Sequence, residues 1–186
     1  RGILHEEMPQ VLPEGVAGFQ LWVNLAAKEK MIAPRYQNIS ANEIPQIVRP
    51  DGTRIRVITG TLAGVSGPVS GISVAPTYLD VSVPADSSFN HPVENGHAVF
   101  TYLFDGAVKV HTTEDKDEIL VQAPKLLVWG EGNAIQIAAT DSPARLLLVS
   151  GAPLNEPIVR YGPFVMNTRA EIDQTLRELQ QGTFPP

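Results

Sequence analysis

A chain of 186 residues, 43% hydrophobic and 18% charged, has a globular composition and enough length for one large domain or about one and a half ordinary ones. Its formal net charge of −6 argues against a general binder of nucleic-acid backbones, and no apolar run approaches the eighteen or so residues of a membrane span. With no cysteine, disulfides and thiolate ligation are excluded; with no signal peptide in view, a soluble cytoplasmic protein is expected, or a nuclear one as well in a eukaryote.

The first stretch, RGILHEEMP at positions 1 to 9, holds a pair of metal-ligand types. If this stretch is extended, residues two apart share a face, so His5 and Glu7 would project together while Glu6 points away; a helix would separate them. An imidazole and a carboxylate suit zinc, iron, manganese or nickel, but a catalytic ion usually takes three or four protein ligands. Two readings therefore stand side by side: part of a metal site, or a terminal imidazole and a solvated carboxylate. The chain carries no initiating Met, so Arg1 is not expected to be the natural start of translation.

Further along, short apolar runs alternate with Gly, Pro, Asn and Asp, the pattern of an all-β sandwich or barrel. Phe19, Leu21, Val23 and Leu25 predict a strand with one face on a core. Ser40 and Glu43 form a capping-box spacing, but Pro45 limits it to about a turn of helix. Asn38-Ile39-Ser40 fits a glycosylation sequon and, with no signal peptide beside it, is read as chance. Ile55 with Val57, and Leu79 with Val81 and Val83, predict two more half-buried strands. The runs 98–103, 126–129, 134–138 and 146–149 are more continuous, which predicts strands covered on both faces. A second capping box, Thr168 with Glu171, precedes Ile172, Leu176 and Leu179, predicting a short amphipathic C-terminal helix that Gly182 ends.

Other candidate chemistry is sparse. His91 and His97 flank a turn and His111 ends another strand, but their spacing matches no strong ligand pattern. Gly60, Gly64 and Gly67, and Gly130 with Gly132, lack the strand-to-helix setting of a phosphate cradle and read as turns. No Gly-x-Ser-x-Gly elbow announces a serine hydrolase.

Three stretches carry a resemblance: RGILHEEMP at 1 to 9, GFQLWVNLAAKEKM at 18 to 31 and PLNEPIVRYGPFVMNTRAEI at 153 to 172. Together they resemble pirins, a family of bicupins. The resemblance implies cupin barrels, double-stranded β-helices, with residues 1–65 as the last strands of an N-terminal barrel and its connection. Residues 66–160 would form the C-terminal barrel, and 161–186 a segment and helix returning to the first. In pirins one metal, usually iron, is held in the N-terminal barrel by three histidines and a glutamate. By position His5 resembles the third histidine and Glu7 the glutamate, so the resemblance implies Fe2+, or another divalent ion, on His5 and Glu7. The other two histidines belong to a His-x-His stretch absent from this chain, and the chain by itself is expected to be inactive. An associating N-terminal segment would supply them.

Some pirins resemble quercetin 2,3-dioxygenases, which implies a flavonol-like aromatic substrate, with Glu7 as ligand and general base and Met8 or Trp22 as lining candidates. Others resemble redox-sensitive regulators, which implies a transcription factor or metabolic enzyme as protein partner instead, with no direct contact to nucleic acid.

Overall fold

The computed structural model describes residues 2–8, 13, 15–111 and 118–184; Arg1, Pro9 and Pro186, named in the expectations above, lie outside them. Contacts divide the chain into two compact units. One is Asn38–Pro153, and the other joins the described residues up to Gln37 with those from Leu154 onward.

The Asn38–Pro153 unit is an antiparallel β structure. Among the described residues twelve strands belong to it: β1 (Gln46–Val48), β2 (Arg54–Thr59), β3 (Thr61–Leu62), β4 (Val65–Ser66), β5 (Thr77–Val83), β6 (Ser88–Pro92), β7 (Ala98–Asp105), β8 (Ala107–His111), β9 (Glu118–Gln122), β10 (Lys125–Val128), β11 (Ala134–Ala139) and β12 (Ala144–Gly151). A six-stranded sheet runs β1-β2-β5-β12-β7-β10 and a four-stranded sheet runs β6-β11-β8-β9. β1 and β2 thus share a sheet with β5, through pairs such as Ile47 with Ile55 and Ile55 with Val81.

Alternation explains where the core lies. Successive side chains of a strand point to opposite faces, so Ile55 and Val57 of β2 and Leu79, Val81 and Val83 of β5 turn inward from one sheet. Phe89 of β6, Val108 of β8 and Ile137 of β11 meet them from the other, in a single apolar cluster. Burying such a side chain stabilises the fold by roughly 1.5–3 kcal/mol, which is why register is strongly specified here. β12, the partner of both β5 and β7, is buried from Leu146 through Ser150, as expected for a strand covered on both faces.

Two expectations are corrected. The apolar run at 126–129 does form β10, but β10 is an edge strand with Leu126 55% and Val128 77% exposed. The runs at 98–103 and 134–138 likewise alternate, because only one face of β7 and β11 is fully buried. The alternating stretch from Phe19 to Leu25 takes no strand assignment. A strand is a ladder rather than a property of one segment, and no described residue hydrogen-bonds that stretch into a sheet.

The discontinuous unit contains a hairpin, β13 (Val159–Tyr161) with β14 (Phe164–Met166), and the one α-helix of the described residues, α1 (Arg169–Gln180). Both capping boxes form. Ser40 and Glu43 start the 3₁₀ turn Ala41–Glu43. At α1, Glu171 Oε2 accepts hydrogen bonds from the Thr168 backbone N–H at 2.7 Å and its hydroxyl at 2.8 Å, while the Glu171 N–H donates to Thr168 Oγ1 at 3.3 Å. Ile172 is fully buried, and Leu179 is exposed, so the apolar stripe is covered at its N-terminal end. Gly182, at φ +71°, ends the helix as expected.

Candidate functional site

The residues around Glu7 come from two segments outside any helix or strand. On the second, Gln20 and Trp22 are two apart, the spacing that puts side chains on one face. The Trp22 indole Nε1–H donates to Gln20 Oε1 at 3.2 Å. The Gln20 amide Nε2 in turn donates to Glu7 Oε1. The Arg160 guanidinium of β13 lies 5.6 Å from the centre of the Trp22 ring, within cation–π range. Arg160, Trp22, Gln20 and Glu7 thus form one continuous chain of contacts ending on a carboxylate.

His5, Glu7 and Met8 are exposed, as are Gln20 and Trp22. Among the described residues no cluster of three or more His, Asp or Glu side chains is arranged to hold a metal ion. The donor chemistry of His5 and Glu7, one imidazole nitrogen and one carboxylate, fits a first-row divalent ion in kind and supplies half of a four-ligand set. The Gln20 bond occupies Oε1 and leaves Oε2 of Glu7 as the carboxylate's other donor atom.

A second network holds the segment bearing Gln20 in place. Glu156 Oε2 accepts from the Ala27 backbone N–H at 2.7 Å and from Asn167 Nδ2 at 3.0 Å. Lys30 Nζ donates to Asn24 Oδ1 at 2.6 Å and to the Val165 carbonyl at 3.1 Å. Burial lowers the Lys30 pKa, opposed by the nearby carboxylates of Glu156 and Glu171. Two of the stretches quoted above, 18 to 31 and 153 to 172, are therefore tied to each other through side chains that carry no apolar periodicity.

The other histidines lie apart. His91, on β6, is 6% exposed and stacks on Phe89 with ring centres 6.0 Å apart. Its Nδ1 is buried without a hydrogen-bond partner among the described residues, and burial, with the Arg49 charge second, lowers its pKa. His97 pairs with Glu94 at 3.2 Å, and His111 lies 3.8 Å from Glu118 across the β8–β9 pair. Sequence reading did not single out Gln20 or Arg160. The signal for Gln20 was its two-residue spacing from Trp22, the same spacing that joined His5 to Glu7.

The Pirin C-terminal cupin domain matches residues 78–185. A pirin-like protein of Caulobacter vibrioides is 38% identical over 99% of this chain and 64% of its own length. Human pirin is 36% identical over 97% of this chain and 61% of its own. A crystal structure of quercetin 2,3-dioxygenase from Acinetobacter baumannii superposes with a TM-score of 0.79 at 32% identity, covering 88% of this chain and 55% of that one. The chain thus spans less than two thirds of each of these relatives.

Proposed function

The chain belongs to the pirin family, and we propose that the full-length protein is a metal-dependent oxidoreductase of the quercetin 2,3-dioxygenase type, with His5 and Glu7 as two of its metal ligands. Its ion would be Fe2+ or another divalent cation, and its substrate a flavonol-like aromatic hydroxyl compound. The observation that carries this reading is the Glu7 carboxylate, oriented by Gln20 and two residues from an exposed imidazole, in a chain similar to a solved quercetin 2,3-dioxygenase.

His5 and Glu7 would hold the cation, which when bound would stabilise the negative charge of a flavonolate. Glu7 has a second role: a carboxylate within hydrogen-bond reach of the substrate hydroxyl accepts its proton. The Gln20 amide N–H donates to Oε1 of Glu7 and leaves Oε2 as the carboxylate's other donor atom. Residues Met8 and Trp22, both exposed in this chain, are apolar surface that an aromatic ring could cover in the full-length protein. Two further ligands would come from the part of the protein outside this chain.

The test is quercetin turnover by iron-loaded full-length protein under oxygen, followed as loss of the flavonol absorption together with oxygen uptake. Turnover abolished by Glu7→Gln supports the proposal. Unchanged quercetin with iron stoichiometrically bound would remove it.

A further inference from the structure

We propose that Gln20 is a positioning residue for Glu7, and that Trp22 sets the direction in which Gln20 acts. This inference rests on the reading of Glu7 as a metal ligand.

The argument is one of donors and acceptors. An amide side chain carries one accepting end and one donating end, and which way it faces must be fixed by its neighbours. An indole nitrogen can only donate. The 3.2 Å bond from Trp22 Nε1 to Gln20 Oε1 therefore commits the carbonyl end of Gln20 to Trp22 and turns its NH2 end toward Glu7. Reversal of the amide would set an N–H against the indole N–H and a carbonyl against a carboxylate, two repulsive contacts in place of two attractive ones. The Trp22 ring itself is flanked by Arg160, whose segment is bound through the Lys30, Glu156 and Asn167 network to the segment carrying Gln20. Among the described residues Glu7 is thus held at Oε1 by a neutral donor with a determined orientation.

A ligating carboxylate needs such a partner. An exposed Glu side chain samples many rotamers, and a bond to one oxygen narrows them while leaving the other oxygen open. A neutral amide also leaves the full negative charge on Glu7, where an arginine or lysine in the same place would compete with a cation for it. Outer partners of this kind typically contribute 10–100-fold to metal affinity or activity.

The experiment uses full-length protein and Co2+ as the probe ion, with affinity read by competition against a chromogenic chelator and geometry by the visible d–d bands. Gln20→Met keeps the length of the side chain and removes both polar ends; Trp22→Phe keeps a ring beside Arg160 and removes only the indole N–H. Gln20→Met should weaken Co2+ binding roughly 10–100-fold and shift the d–d bands. Trp22→Phe should shift both in the same direction by less. A urea midpoint measured on each variant reports folding independently. Gln20→Met with wild-type Co2+ affinity and bands, while Glu7→Ala loses the ion, would overturn the inference and leave the ligand assignment standing. Co2+ binding unaffected by Glu7→Ala would overturn the ligand assignment, and this inference with it.

Discussion

Three glycines of the Asn38–Pro153 unit separate two physical costs that are usually confounded. Gly64 sits at φ +80° with open space around it, so alanine there meets only the strain of a left-handed backbone, about 1–2 kcal/mol. Gly67 has an ordinary φ, but a Cβ would lie 2.5 Å from both the carbonyl carbon and the oxygen of Ile58, about 0.9 Å short of ordinary contact. Because the obstacle is backbone in β2, relief requires moving a core strand, and overpacking of this kind costs about 1–3 kcal/mol. Gly106 combines both: φ +79° and a Cβ 2.2 Å from the Pro143 carbonyl oxygen, with Ala144 Cα at 2.9 Å. Gly106→Ala should therefore cost roughly 2–5 kcal/mol, a large part of the roughly 5–15 kcal/mol by which a domain is stable. Urea unfolding measures the series, followed by Trp129 fluorescence in a Trp22→Phe background, since the chain has two tryptophans. With a slope of about 2 kcal/mol per molar, Gly64→Ala should lower the midpoint by roughly 0.5–1 M and Gly106→Ala by distinctly more. Equal midpoints for Gly64→Ala and Gly106→Ala, or an unshifted Gly67→Ala, would refute the reasoning.

Three further outcomes are expected. His91 is buried with its pKa lowered, so as pH falls through the unfolded value near 6.5 the unfolded chain takes up a proton before the folded one does. Stability is therefore full above that pH and declines below it, and in His91→Leu the decline in urea midpoint between pH 7 and pH 5 should shrink. Thr101 is fully buried and accepts the Trp129 indole N–H at 2.8 Å, so Thr101→Val should cost about 1–3 kcal/mol by stranding that donor, with a shift in Trp129 emission. Thr168→Ala removes the side chain that caps α1 and should cost about 1 kcal/mol, seen as faster hydrogen exchange in the first turn of the helix.

The parts of the fold legible in the sequence are those where one strand face alone decides burial. β2 and β5 declared themselves through Ile55, Val57, Leu79, Val81 and Val83, and the α1 terminus through the Thr168 and Glu171 spacing. β12 was legible for the opposite reason, since its run of buried side chains needs cover on two faces. What failed was inference from apolarity to burial on both faces, at the interior strands β7 and β11 as well as at the edge strand β10. Leu126 and Val128 have the composition of a covered strand, but they share the outward face of β10, while Leu127 between them packs against the core. The stretch from Phe19 to Leu25 shows the same limit, because pairing requires a second strand that the segment's own pattern cannot supply. At the candidate site, two-residue spacing drew attention to His5 and Glu7. The bond from Gln20 spans 13 positions and that from Ala27 to Glu156 spans 129, and neither leaves any periodic trace.

That last separation has a kinetic consequence. The Asn38–Pro153 unit is continuous in sequence, whereas the other unit is made of two strands of chain that meet only after everything between them has been synthesised. Closing so long a loop before its interior is ordered carries an entropic cost that local antiparallel pairing avoids. Assembly should therefore be sequential, with the Asn38–Pro153 unit acquiring protection first and the segment bearing Gln20 last. Pulse-labelled amides of β5 and β12 should become protected before those of Ala27 and Asn167.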